Sequence, residues 1–161
     1  MTNIIEFLEI SELKETKFIH PIKVTYLQNG KSKSWEAVKS HNSVAVLLYH
    51  TQENAFLLVK QFRAPVYLND NSKTFTYELC AGLVDKEDKS LEEIVQEEID
   101  EECGYKVELN DILKITSFYT NVGISGGCQY LFFAKIDESM KIHNGGGIND
   151  EQIEVMYLPI E

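Results

Sequence analysis

Gly82 to Tyr105 reads GLVDKEDKSLEEIVQEEIDEECGY, and the folding of that stretch decides how the rest of the chain is arranged. Ser90 is a good N-cap, and Glu93 three residues later completes a capping box, so a helix begins at Leu91. Leu91, Ile94, Val95, Ile99 and Cys103 recur at approximate helical spacing as an apolar stripe, and Gly104 is placed to stop the helix. The other face is acidic. Glu98, Glu101 and Glu102 stand at i, i+3 and i+4, so their carboxylates share one face, with Glu97 and Asp100 adding to the crowding. Exposed like charges at that spacing repel by about 0.2–0.5 kcal/mol per pair. A hard divalent cation turns the repulsion into coordination, because Mg²⁺ takes carboxylate oxygens and keeps several waters. A solvated acidic face has the same spacing, and spacing alone leaves both readings open.

Around this helix the chain reads as strands. Phe18 to Leu27 and Ser34 to Val38 flank Asn29-Gly30, a strong hairpin turn signal. Val44 to Tyr49 and Ala55 to Gln61 make a second, mostly apolar hairpin around Thr51–Asn54. Tyr67 to Thr74 reads as a polar loop, and Phe75 to Cys80 as a strand ending at Ala81-Gly82. After the helix come a strand at Ile112–Tyr119, a Gly-rich loop at Asn121–Gly127 and a strand at Gln129–Ile136. A loop holding Gly145-Gly146-Gly147 leads to a last strand, Ile153 to Leu158. Many strands about one dominant helix describe an α+β fold with a mixed sheet.

Composition narrows the partners. With 15 Lys plus Arg against 26 Asp plus Glu, the formal charge is −11. That argues against broad binding to nucleic acid or an anionic membrane, both of which need basic surface. A phosphorylated substrate would require local Arg and Lys, or bound cations, to reverse the field. Cys80, Cys103 and Cys128 are odd in number and form no CxxC pair, so neither a zinc site nor a disulfide framework is expected. Buried free thiols in a reducing cytosol are the plain reading. The N-terminus is too acidic for a signal peptide and no apolar run spans a membrane, so the expected location is cytoplasmic.

The stretch EEIDEECGY, preceded by AGLVD, resembles the Nudix box, G-x5-E-x7-R-E-U-x-E-E-x-G-U with U bulky and apolar. Glu98, Ile99, Glu101, Glu102, Gly104 and Tyr105 match its last conserved positions. The distance from Gly82 to Gly104 is one residue longer than the pattern, and its Glu and Arg fall on Lys89 and Glu97. In most of the family those two form a structural ion pair; a charge-reversed Lys89–Glu97 pair is expected here. The resemblance runs from about His20 to Pro159. QNGKSKSWEAVKSHNSVAVLLY, LLVKQFRAPVY, FTYELCAGLVD and GGGINDEQIEVMYLP are similar to the branch that hydrolyses UDP-sugars, a relative of the ADP-ribose pyrophosphatases. The longer box spacing fits that branch.

The resemblance implies Mg²⁺, with Mn²⁺ as a substitute, held by Glu98, Glu101, Glu102 and the Ala81 carbonyl. Catalysis would fall to Glu98, Glu101 and Glu102 together with Glu151, which matches the loop acid of ADP-ribose pyrophosphatases; a solvated loop acid is the alternative for Glu151. The glycine triplet would let that loop close over substrate. Arg63 is the expected phosphate contact, with a surface ion pair as the alternative, and Gln61 a weaker companion or a plain strand residue. Glu78 would face the substrate. Trp35 stacks on a base in relatives, or packs at a subunit interface.

The expected organisation is residues 1–40 as an N-terminal β extension used in homodimerisation and 41–161 as the Nudix hydrolase domain. In this branch the extension exchanges between subunits, so Trp35 would reach the partner's site. Relatives continue into a further helix after the LP strand, whereas this sequence stops at Glu161. The activity implied is hydrolysis of a nucleoside diphosphate sugar, UDP-glucose-like ahead of ADP-ribose. GDP-mannose or dinucleoside polyphosphates, or a catalytically silent nucleotide-binding domain, are the competing readings.

Overall fold

Ser90 caps α2 (Leu91–Glu98) through the expected box: its hydroxyl accepts the Glu93 N–H at 3.2 Å, while the Glu93 carboxylate accepts the Ser90 N–H at 2.7 Å. The apolar stripe then buries itself. Ile94, Val95, Ile99 and Cys103 are each at most 1% exposed, with Leu91 packed at the margin. The computed structural model describes Ile5, residues 9–16 and residues 19–161.

The helix docks on one side of a seven-stranded mixed sheet, formed by β3 (Ser43–His50), β4 (Ala55–Phe62), β5 (Phe75–Glu78), β6 (Cys80–Leu83), β7 (Leu113–Thr120), β8 (Gly127–Ile136) and β9 (Glu154–Pro159). Strands β3 and β8 run parallel over eight residues, Ser43–His50 against Gln129–Ile136. Val44, Val46, Leu48, Leu57, Val59, Cys80, Phe132, Ala134 and Ile136 supply the sheet's share of the core.

Two departures from the sequence reading shape the site. The hairpin β3–β4 pairs only from Leu48↔Leu57 to His50↔Ala55 and then splays. The stretch read as one strand, Phe75 to Cys80, breaks at Leu79: β5 pairs with β4, while β6 crosses to β3. β5 (FTYE) alternates apolar and polar residues and β6 (CAGL) has no polar side chain, but neither run states which strand it pairs with. Second, part of the polar loop expected from Tyr67 is helical, α1 (Ala64–Asn69). Pro65 sits in its first turn, where a missing N–H costs nothing. Arg63 stands at the N-cap of that turn.

The N-terminal hairpin, β1 (His20–Gln28) and β2 (Lys31–Lys39), forms a separate two-stranded sheet, with Asn29 and Gly30 both at positive φ in its turn. Phe18, expected within the first strand, lies outside the described residues. Cys80 and Cys103 are free and buried, and Cys128 is free and half-buried.

Candidate active site

The fork between β3 and β4 opens a cleft of about 560 Å³. Its walls carry Gln61 and Arg63 from the end of β4, Glu78 from β5, Ala81 and Gly82 from β6, and Glu98, Glu101 and Glu102 from the acidic helix, with Glu151 from the late loop. Nine positions singled out from sequence therefore meet in one place, drawn from segments up to ninety residues apart.

The acidic helix changes character as it enters the cleft. After Glu98 the chain widens into a π turn, Ile99–Cys103, stopped by Gly104 at φ +79°. The carboxylates of Glu98, Glu101 and Glu102 all line the cleft, and Glu102, on the π turn, is the most buried: it is only 6% exposed and its Oε2 accepts the Ala81 N–H at 3.0 Å. Gly82 is needed for close approach: a Cβ there would lie 1.9 Å from Glu98 Oε1. Burial, followed by the charges of Glu102 and Glu101, pushes the Glu98 carboxyl up to about 7. Burial also pushes Glu102 up to about 7, against the Ala81 hydrogen bond that favours its ionised form.

These are hard oxygen donors in a poorly hydrated place. Among the described residues no three such groups converge tightly enough to enclose an ion by themselves. Mg²⁺ does not require that, since it keeps several waters and relies on one or two carboxylates plus substrate phosphates. The residues present fit a divalent cation.

Arg63 and Glu78, expected as two separate substrate contacts, are bonded to each other. Arg63 donates from Nε to Glu78 Oε1 at 3.0 Å and from Nη2 to Oε2 at 2.8 Å, a planar two-bond fork. Burial raises the Glu78 carboxyl, but hydrogen bonds from Arg63 and Thr76 outweigh it and hold the group low. The surface-pair alternative for Arg63 thus describes one edge of the guanidinium, while the residue also lines the cleft.

The reversed pair exists. Lys89 contacts one oxygen of Glu97, and Lys86 donates to the other at 2.7 Å. Lys86 was not foreseen, although its spacing from Lys89 was a usable signal. Ser43 and Gln129 were also missed; they are register partners at the starts of β3 and β8 and line the cleft, with Gln129 Nε2 donating to Ser43 Oγ at 3.3 Å. Polar residues opening two apolar strands were the clue.

Trp35 does not line this cleft. Its indole N–H donates to Gly123 O at 2.8 Å while the side of the residue facing outward leaves it 55% exposed. The glycine triplet is also arranged differently from a free closing loop. Gly146 N and Gly147 N donate to the Glu102 and Glu101 carbonyls, at 3.0 and 2.9 Å, fastening the loop to the end of the π turn.

A family model described as the NUDIX domain matches residues 39–161. The chain is 33% identical to a uridine diphosphate glucose pyrophosphatase of Bos taurus, across 98% of this chain and 83% of that protein. A protein of the same name from Mus musculus is 30% identical across 89% of this chain and 77% of its own length. A GDP-mannose pyrophosphatase of Cronobacter sakazakii is 37% identical across 73% of this chain and 60% of its own.

Proposed function

The chain belongs to the Nudix family, and from that premise we propose that it is a Mg²⁺-dependent diphosphatase of nucleoside diphosphate sugars, with UDP-glucose-like compounds preferred over ADP-ribose. One observation supports this most: the cleft gathers Glu98, Glu101, Glu102 and Glu151 together with Arg63, so cation-seeking and phosphate-seeking groups line one space. A second reading, GDP-mannose as substrate, draws on the matches to proteins of that name.

In this reading Arg63 uses two of its five N–H donors on Glu78 and offers the others to phosphate oxygens. Glu78 acts by fixing the plane of that guanidinium, and Gln61 borders the same wall. Glu98 and Glu102 would hold the cation, with Glu101 and the Ala81 carbonyl assisting; when bound, it neutralises the diphosphate and makes water a better nucleophile. Glu151 accepts a proton from the attacking water. The water oxygen bonds to one phosphorus as the bond from that phosphorus to the bridging oxygen breaks, leaving a nucleoside monophosphate and a sugar 1-phosphate. ADP-ribose would give AMP and ribose 5-phosphate by the same displacement.

The assembly we propose is a homodimer built on residues 1–40, with Trp35 serving the partner's cleft. Supporting it, Ile22, Val24 and Trp35 share one face of the hairpin and are 42–55% exposed. A two-stranded hairpin is marginal unless such a face is covered. No helix among the described residues is long and apolar enough to cross a membrane; free thiols suit a reducing compartment, and the cytoplasm is the one we propose.

The test is phosphate release from UDP-glucose, ADP-ribose and GDP-mannose with Mg²⁺, using a coupled phosphatase that acts only on monoester products. Release that disappears with EDTA supports the reading and ranks the substrates. No release from folded protein would leave a silent nucleotide-binding domain.

A further inference from the structure

Glu151 sits on a segment that ought to be poorly held. Gly145, Gly146 and Gly147 precede it with φ of +66°, +114° and +82°, and consecutive glycines lose the most conformational freedom on being fixed. Yet the segment is bonded at several points. Gly146 and Gly147 are fastened to the π-turn carbonyls, the Ile148 N–H donates to Glu151 Oε2 at 2.9 Å, and the Glu151 N–H returns to Ile148 O at 3.1 Å. A Cβ on Gly145 would lie 2.1 Å from Glu102 O, so the segment and the helix end touch backbone to backbone.

His143 stands at the head of this strap. Its Nδ1 accepts the Gly145 N–H at 3.0 Å, which places the proton of the neutral ring on Nε2, 2.7 Å from Asp100 Oδ1. One imidazole thus ties the first glycine to the residue between Glu98 and Glu101. The backbone on either side strengthens the tie, with Ile142 N and His143 N both donating to Gly104 O.

We infer that His143 is a positioning residue for Glu151, clamping the glycine strap to the acidic helix so that Glu151 is held at a set distance from Glu98 and Glu102. The inference rests on the diphosphatase reading above. His143 is half-exposed and borders neither the cleft nor the core, so its removal leaves the fold and the substrate contacts in place. What changes is the placement of the group that takes the proton. A misplacement of about 1 Å can cost on the order of 10²-fold; with the Gly146 and Gly147 bonds still present, a loss of about tenfold is expected.

The experiment compares the full-length wild type with His143→Ala and His143→Asn, measuring steady-state hydrolysis of UDP-glucose with Mg²⁺, thermal midpoints, and amide hydrogen exchange over residues 144–152. Asparagine restores an acceptor for the N–H two residues on, as in an Asx turn, but does not reach Asp100. His143→Ala is expected to lower kcat about tenfold with KM within about twofold, to speed exchange in the strap, and to leave the midpoint unchanged. His143→Asn is expected to recover part of the exchange protection but little of kcat, because it leaves Asp100 untied; full recovery of kcat would place the effect in the local turn and overturn the clamp. Wild-type kcat in His143→Ala would overturn the inference, as would equal losses in both variants that follow a lowered midpoint. If the wild type itself hydrolyses no nucleotide sugar, the diphosphatase reading fails, and unchanged exchange in His143→Ala would then overturn the clamp separately.

Discussion

The two ends of this molecule satisfy their polar and apolar groups in opposite ways. The acidic helix buries its apolar stripe in the core, and with the glycine strap and β6 it bonds its irregular backbone within the same chain, from Glu102–Ala81 to Gly147–Glu101. The N-terminal hairpin satisfies its backbone between two strands but leaves Ile22, Val24 and Trp35 open on one face, touching the rest of the chain through Trp35–Gly123 and Val38–Ile124. A region closed on itself is built to hold a geometry. A region with a bare apolar face is built to be covered. Mutations at the closed end should therefore change chemistry without changing assembly.

The sharpest way to break that comparison is at the closed end. Glu98→Gln should lower kcat on UDP-glucose by on the order of 10²–10³-fold, the scale seen when one charge-stabilising group is removed, without altering oligomeric state. The pH dependence has a defined sign. Glu98 titrates near 7 in the folded protein against an ordinary 4.5, so the folded state holds the proton more tightly. That contribution is fully present below about 4.5 and is lost as pH rises through about 7. In EDTA, the wild type should thus lose more thermal stability than Glu98→Gln between pH 5 and pH 8. Equal losses would remove the idea that these carboxylates are held in an ion-seeking state.

Arg63→Lys comes next. A lysine cannot make the two-bond fork to Glu78, so KM is expected to rise about tenfold, with the helix unaffected. An unchanged KM would assign Arg63 to the ion pair alone. At the open end, Trp35→Ala should shift the protein toward monomer in light scattering at micromolar concentration while its thermal midpoint in the monomer range stays within a few degrees. A variant that stays dimeric would show that Trp35 does not hold the two copies together.

The smallest effect should come from the reversed pair. Lys89→Glu leaves Glu97 beside a like charge and is expected to cost about 1 kcal/mol, the upper range for partly exposed pairs. Adding Glu97→Lys should restore part of it, since the new lysine then lies beside Lys86. Absence of rescue would mean that Lys86 alone carries the contact.

Much of this was legible in the sequence because it follows local rules. A capping box depends on residues three apart, an apolar stripe on helical period, and a hairpin turn on Asn-Gly, so the helix, most strands and the acidic residues could be read from one chain. The identity of the site residues came from local patterns together with the resemblance those patterns carry. What tertiary structure alone decided is long-range. The splay of β3 from β4 and the crossing of β6 at Leu79 depend on which strands compete for the same edge, and that competition has no period. The contact of Glu102, on the π turn, with Ala81, the fork joining Arg63 to Glu78, and the imidazole joining Asp100 to Gly145 all pair groups whose separation in sequence says nothing of their distance in space. Periodicity specifies a face, but only packing specifies what that face meets.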